Sequence, residues 1–172
     1  MGNKKRLYIA VYPSGVVGNE ERRYHWAFLI GPKAEKGQSA RGKRFHVKNE
    51  PLTGWTYEEK DVADVKQTTT LLGRVLIAKI EDEQRLVDLL RNQPVVNGDP
   101  NWRCRSWVAS ALEAVARDGR CVGRAELDWG RIEPFVRGYI GRKREEGRYE
   151  RPEDLARPRP TYDLLEGKET IV

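Results

Sequence analysis

Histidine, cysteine and long apolar segments are all scarce in this chain of 172 residues, which has two histidines, two cysteines and one methionine. Cys104 and Cys121 cannot form the framework of a disulfide-rich fold, so they favour a reducing compartment. No apolar stretch approaches the ~20 residues that a membrane-spanning helix requires. The start, Met1 to Arg6, has no apolar core of a signal peptide. We therefore expect a cytoplasmic protein without a transmembrane segment.

Charge is abundant, but both signs are present. The formal net charge is +6 and 34% of the residues are charged. Basic residues are mixed with acidic ones, as in residues 142–146, and no zinc-finger, helix-turn-helix or RNA-binding pattern accompanies them. The composition therefore argues against nucleic acid as a partner. The length suits one domain that buries its own core.

Strand-like segments come first along the chain and helical segments follow. Runs in which apolar and polar residues alternate, or which are apolar on both faces, predict strands at 6–12, 22–30, 43–48, 54–58 and 72–80. A polar loop is predicted over 31–42. Helical periodicity follows over 81–92, from Asn101 to Gly119, and over about 129–144. This order predicts an α+β domain over residues 1–146. Residues 147–172 carry spaced prolines, so we expect a C-terminal tail or wrapping arm there.

Cys104 lies near the start of an amphipathic helix. Unpaired backbone N–H groups and the helix dipole stabilise an anion there, and the flanking Arg103 and Arg105 should lower the thiol pKa further. Backbone amides after Pro100 are candidates for an oxyanion hole, and Asn101 is the predicted N-cap. The alternative is that Cys104 is a core residue, because it shares the apolar face of the helix. Cys121 lies in a turn and is expected to have no role.

The two histidines both lie in predicted strands. His25 is in a strand that is apolar on both faces, so it is either a hydrogen-bonded core residue or a catalytic base. His46 shares its face with Arg44 and Lys48, which is typical of a surface residue. Two histidines and a cysteine could supply three zinc ligands, but no closely spaced pair anchors such a site. We therefore predict no metal and no other cofactor.

Taken together, these segments resemble a known enzyme family. The run Tyr24-His25-Trp26-Ala27-Phe28-Leu29-Ile30-Gly31 is similar to the His-Trp-Ala strand of the lecithin:retinol acyltransferase family, which includes the H-rev107-like phospholipase/acyltransferases. Phe45-His46-Val47 resembles the second histidine strand of that family, and Cys104-Arg105-Ser106-Trp107-Val108 resembles its cysteine helix. Uncharacterised small fungal proteins also look similar over much of the chain. The resemblance covers about residues 22–116.

The resemblance implies a fold and a mechanism. The order histidine, histidine, cysteine is that of the circularly permuted papain-like (NlpC/P60-type) fold, in which the cysteine helix packs on a small antiparallel sheet. Cys104 would be the nucleophile, His25 its general base and His46 the residue that orients His25. The implied activity is that of a cysteine-dependent hydrolase or acyltransferase, which acts on an ester, thioester or amide through a Cys104 acyl-enzyme.

The sequence also suggests which residues contact the substrate, and it leaves two other functions open. Trp26, Trp102, Arg103 and Arg105 are the predicted substrate-binding residues, and the substrate is a small or acylated molecule. A peptide or ubiquitin-like substrate is the alternative, because deubiquitinase-like peptidases share the permuted order. A non-catalytic ligand- or protein-binding domain and a metabolite cyclase or isomerase that uses the same cleft remain open.

Overall fold

The computed structural model describes residues 3–37 and 39–172. Met1 and Gly2, within the start considered for a signal peptide, and Gln38, within the predicted loop 31–42, lie outside the described residues. Within the described ranges the chain forms strands and helices in the following order: β1 Arg6–Pro13, β2 Tyr24–Gly31, β3 Gly42–Glu50, β4 Gly54–Val62, β5 Gly73–Ile80, α1 Glu83–Arg91, α2 Cys104–Asp118, β6 Val122–Ala125, α3 Trp129–Glu145, α4 Pro152–Leu155, β7 Thr161–Asp163 and β8 Lys168–Ile171.

The strands form a single sheet in which almost all neighbours are antiparallel. Their order is β4-β3-β2-β1-β5-β7-β8, and β6 pairs with β5 outside this path. The pair β5–β7 is parallel. All five strands predicted from the first half of the sequence are present, so the α+β class is confirmed. The sheet is larger than expected because β6, β7 and β8 join it after the first helices.

The central strands are buried on both faces because helices or loops cover each side of the sheet. On one face, Trp26 and Phe28 of β2 belong to the same core cluster as Trp107 and Val108 of α2. On the other face, Ala27 lies in a smaller cluster under the loops. The apolar run of β2 on both faces is typical of such an interior strand. Among the described helices, none is both long enough and apolar enough to cross a bilayer.

Helix α2 begins at Cys104 and not at the predicted N-cap Asn101. Arg103, in an extended conformation with φ −156°, precedes the first helical residue. Asn101 is instead held in a turn, because its N–H donates to the Asp99 side chain at 2.8 Å. The C-terminal end agrees with the prediction, since Gly119 ends the helix with φ 68°. Cys104 is therefore the first residue of the helix and not its third.

Residues 147–172 do not form a separate tail. β7 lies parallel to β5, with Arg74 opposite Thr161. The fully buried Arg74 donates to the Thr161 hydroxyl at 2.9 Å, and Tyr149 donates to the Leu72 carbonyl at 2.8 Å. The segment thus extends the sheet and covers its face. Strands of three and four residues are too short to give a periodic signal in the sequence, and buried arginines conceal the core positions.

Candidate active site

The structure brings the two histidines into direct contact. His25 lies near the start of β2 and His46 in the middle of β3. His25 Nε2 and His46 Nδ1 are 2.7 Å apart, and the two rings are nearly perpendicular, at 74°. His46 is buried, which differs from the surface position that the sequence favoured, because its ring bonds on both sides instead of facing water. An orienting role for His46 requires this contact with His25.

Glu58 extends this pair into a chain of three side chains. Its Oε1 atom lies 2.9 Å from His46 Nε2, and its Oε2 atom lies 2.8 Å from Lys48 Nζ. The hydrogen bond from Lys48 and the one from His46 lower the pKa of Glu58 to about 2. The carboxylate is therefore ionised at neutral pH. We call the three side chains His25, His46 and Glu58 the histidine–glutamate chain.

Sequence reasoning missed Glu58, although the strand pattern contained a signal for it. β3 and β4 form a hairpin in which Glu50 pairs with Gly54 and His46 pairs with Glu58. Residues directly opposite each other in an antiparallel pair share a face of the sheet. A hairpin turn centred on Leu52 therefore places a carboxylate beside His46.

Burial keeps both histidines in their neutral form at neutral pH. It lowers the pKa of His25 to about 4, and the neighbouring His46 and Arg44 lower it in the same direction. Burial also lowers the pKa of His46, although the hydrogen bond to Glu58 opposes this effect. A neutral imidazole can accept a proton, which is what a general base requires.

Cys104 has a different electrostatic setting from the one expected. Its side chain is 5% exposed, and burial raises the pKa of the thiol, although backbone hydrogen bonds from Trp26 and Arg105 and the charge of Arg103 oppose the rise. The predicted lowering of this pKa is wrong. Arg105 turns away to Glu133, with its Nη2 atom 2.6 Å from Oε1, and Arg103 pairs with Glu21 at 3.3 Å.

Cys104 and His25 belong to opposite faces of the sheet. His25 alternates with Trp26 along β2, and its ring lies 6.0 Å from that of Tyr12, so it belongs to the face opposite α2. The sulfur lies next to β2, since the backbone of Trp26 bonds to it. No hydrogen bond joins Cys104 to His25 in residues 3–37 and 39–172. Both residues nevertheless line one cavity.

This cavity has a volume of about 520 Å³. One side carries Trp55 and Trp102, whose rings pack edge to face at 5.8 Å. Asn97 fixes Trp55 by accepting from its N–H at 2.8 Å and donating to its carbonyl at 3.2 Å. The remaining wall combines apolar, cationic and polar side chains: Pro13, Ser14, Val16, Arg22, Tyr24, His25, Lys48, Asn49, Asp99, Pro100, Arg103 and Cys104.

Two of the four predicted substrate contacts line the cavity and two do not. Trp102 and Arg103 lie in its wall. Trp26 is fully buried and packs edge to face on Trp129 at 5.1 Å, so it lies in the core and not in the cavity wall. Arg105 bonds to Glu133 outside the cavity. Trp55 and Arg22, which the sequence did not single out, take part in the wall instead.

In the described part of the chain, no three side chains from His, Cys, Asp and Glu are grouped as metal ligands would be. Cys121 is buried apart from the cavity and next to Asp118, and burial and that carboxylate raise its thiol pKa to about 12. A proton acceptor and a thiol in one cavity are the chemically useful groups here.

Comparison with known proteins identifies the family but gives no activity. Neither the curated proteins nor the solved structures include a significant match to this chain. The sequence profile of DUF6914, described as a family of unknown function, matches residues 4–171. The match spans nearly the whole chain, including β7 and β8. The chain therefore belongs to the DUF6914 family.

Proposed function

We propose that this protein is a cysteine-dependent hydrolase or acyltransferase that acts on an ester, thioester or amide. One observation carries the proposal: Cys104 and His25 line the same cavity, and His25 is bonded to His46, which is bonded to Glu58. A nucleophile, a base and a third group that orients the base are the components of catalytic triads. The free cysteines suit a reducing compartment, so we assign the activity to the cytoplasm.

Acylation begins with proton transfer. Because burial favours the neutral thiol and the neutral imidazole, the resting pair is uncharged. As the Cys104 sulfur attacks the substrate carbonyl carbon, His25 takes the thiol proton. The bond to the leaving alcohol, thiol or amine then breaks, and His25 returns the proton to that leaving group. The product is a thioester on Cys104.

The start of α2 supports the second half of the reaction. Its first-turn N–H groups have no backbone carbonyl partner within the helix, so they can donate to the negative oxygen of a tetrahedral intermediate. Water or another acceptor then loses its proton to His25 and attacks the thioester carbonyl. The carbon–sulfur bond breaks, and the proton passes from His25 to the Cys104 sulfur, which regenerates the thiol.

The permuted papain-like fold is part of the same proposal. A helix that begins with cysteine packs against an antiparallel sheet, and the sheet carries two histidines earlier in the chain. The cavity volume of about 520 Å³ lies within the range of small-ligand sites. It supports a small molecule or an acyl group more readily than a ubiquitin-like protein as the bound species.

A search for the acyl-enzyme tests the proposal. The protein is incubated with a panel of activated esters and thioesters, and its intact mass is measured before peptide mapping. We expect one acyl adduct on Cys104, no adduct in Cys104→Ala, and an unchanged adduct in Cys121→Ser, the matched control. Acylation of Cys121 instead of Cys104, or no acylation with any ester or thioester, would contradict the proposal.

The second candidate function is that of a ligand-binding domain. The burial of the Cys104 thiol and its lack of a hydrogen bond to His25 within the described ranges favour this function. Cys104 is 5% exposed and makes no hydrogen bond to His25 within the described ranges. A binding domain would use Trp55, Trp102 and the cations of the cavity and would tolerate Cys104→Ala without loss of affinity. A cyclase or isomerase in the same cleft would depend on His25 and leave no acyl group on the protein.

A further inference from the structure

We propose that Glu58 is a positioning residue that selects the tautomers of both histidines, so that Nδ1 of His25 carries a free electron pair. The inference deepens the proposed function, because a base with a proton on that nitrogen could not accept one from Cys104. It rests on the hydrogen bonds of the histidine–glutamate chain. Glu58 touches His46 and not the reacting atoms, so it would act through the two rings.

Two cations lie beside the Glu58 carboxylate. Lys48 Nζ lies 2.8 Å from Oε2 of Glu58, and Arg44 Nη2 lies 3.9 Å from Oε1. Glu50 also binds Lys48, at 2.9 Å, so it competes for that cation, but the residue opposite His46 in the hairpin is Glu58. An ionised carboxylate can only accept hydrogen bonds. The 2.9 Å contact with His46 therefore requires a proton on Nε2 of His46.

The proton on His46 Nε2 determines the direction of the hydrogen bond between the two rings. A neutral imidazole has one protonated and one bare nitrogen. With its proton on Nε2, His46 offers a bare Nδ1 and accepts from His25 Nε2 across 2.7 Å. His25 in turn has its proton on Nε2 and a bare Nδ1. Within residues 3–37 and 39–172 this nitrogen has no hydrogen-bond partner, and His25 lines the cavity.

Without Glu58, the hydrogen bond between the two rings could form in either direction. In one arrangement His25 Nε2 donates to His46 Nδ1, as described above. In the other, His46 Nδ1 donates to His25 Nε2, and the proton of His25 lies on Nδ1. The two arrangements have equal numbers of hydrogen bonds between the rings, so the ring contact alone does not choose between them. The carboxylate breaks this symmetry because it cannot donate to His46. Orientation of a histidine through its second nitrogen is a known function of such partners.

Nitrogen NMR of the histidine rings tests the inference without any substrate. Two histidines give four ring ¹⁵N resonances, which makes assignment simple. At pH 7 we expect protonated Nε2 and bare Nδ1 in both rings of the wild-type protein. Glu58→Leu should move the His25 Nδ1 resonance toward the protonated position. Glu58→Gln, whose amide oxygen can still accept from His46, should keep the wild-type pattern.

Glu59→Gln is the matched control, because Glu59 is the next residue of the same strand and binds Arg91 instead of a histidine. The amide spectrum of each sample shows whether the variant is folded. Histidine resonances that are the same in folded Glu58→Leu and in wild type would overturn the inference, as would a bare Nε2 of His46 in wild type.

The acylation rate provides the functional readout. We expect Glu58→Leu to acylate Cys104 about 10- to 100-fold more slowly than wild type, as for other partners that orient a histidine, and Glu59→Gln to match wild type. Unchanged acylation in Glu58→Leu, with acylation of wild type still dependent on His25, would overturn the role of Glu58 alone. An absence of acylation in wild type would contradict the proposed function, and the NMR result would still decide on Glu58.

Discussion

Mild acid should destabilise this protein through its histidines. The unfolded chain binds a proton at His25 with the ordinary pKa of 6.5, whereas the native protein does so only at about 4. Below pH 6.5 protons therefore favour the unfolded state. The contribution of neutral His25 to stability is fully present above pH 6.5 and is lost progressively as the pH falls toward 4. His46, whose pKa is also lowered, adds a loss of the same sign.

The size of the effect follows from the shift of the His25 pKa. A shift of about 2.5 units corresponds to a maximum of about 3.4 kcal/mol, since one unit equals about 1.36 kcal/mol. With pKa values of 6.5 and about 4, the free energy of unfolding should fall by about 2 kcal/mol between pH 7 and pH 5. Carboxylates contribute little in this window, because their unfolded-state pKa values lie below it.

Urea unfolding followed by tryptophan fluorescence at pH 7, 6 and 5 measures this change. His25→Gln is the matched variant, since its side chain can still bond to His46 but does not titrate. We expect it to lose most of the pH dependence and to keep the part that belongs to His46. A free energy of unfolding that is constant between pH 7 and pH 5 in wild type, or an equal loss in His25→Gln, would refute the assignment of a desolvated, neutral His25.

Four further predictions concern other parts of the fold. Glu35→Ala should lower the free energy of unfolding by about 3 kcal/mol, because it leaves the fully buried Arg74 without its carboxylate partner. The double variant Glu35→Ala/Arg74→Met should recover most of this loss. A loss below about 1 kcal/mol for Glu35→Ala in urea unfolding would contradict the prediction. Gly54→Ala should lower the free energy of unfolding more than Gly98→Ala in the same assay. Both glycines have positive φ, but only a Cβ at position 54 would clash with Asn97 Oδ1, so equal losses would contradict this prediction. Deletion of residues 159–172 should abolish cooperative thermal unfolding, because it removes β7 and β8 from the edge of β5, and an unchanged Tm would refute their structural role. Iodoacetamide should modify Cys104 slowly below pH 9, because burial raises both thiol pKa values, and Cys121 more slowly still, because it is fully buried whereas Cys104 is 5% exposed. Fast labelling of Cys104 at pH 7 would contradict this.

The sequence was sufficient for those parts of the fold that depend on local patterns. The five leading strands, the three main helices and the end of α2 at Gly119 follow from periodicity and from the αL preference of glycine. β7 and β8 did not, because they are short and their pairing with the sheet is non-local. The N-terminus of α2 was displaced because Asp99 holds Asn101 in a turn, which local propensity does not reveal.

For the candidate site, the sequence located the candidate side chains but not their environment. His25, His46 and Cys104 were recognised from two strands and a helix start. The direction of the Cys104 pKa shift was wrong because the burial of the thiol outweighs the helix start, and because Glu133 and Glu21 bind the flanking arginines. Glu58 was missed because its contact with His46 depends on the register of the β3–β4 hairpin.

The rate of Cys104 acylation in His25→Ala tests the central claim most directly. The ester or thioester that acylates wild-type protein is mixed with each protein at pH 7, and the adduct on Cys104 is followed by mass spectrometry over time, with folding checked by circular dichroism. Removal of a general base typically costs 10²- to 10⁴-fold, so we predict acylation at least about 100-fold slower in His25→Ala than in wild type. Equal rates in the two folded proteins would show that His25 does not take the proton from Cys104 and would contradict the account.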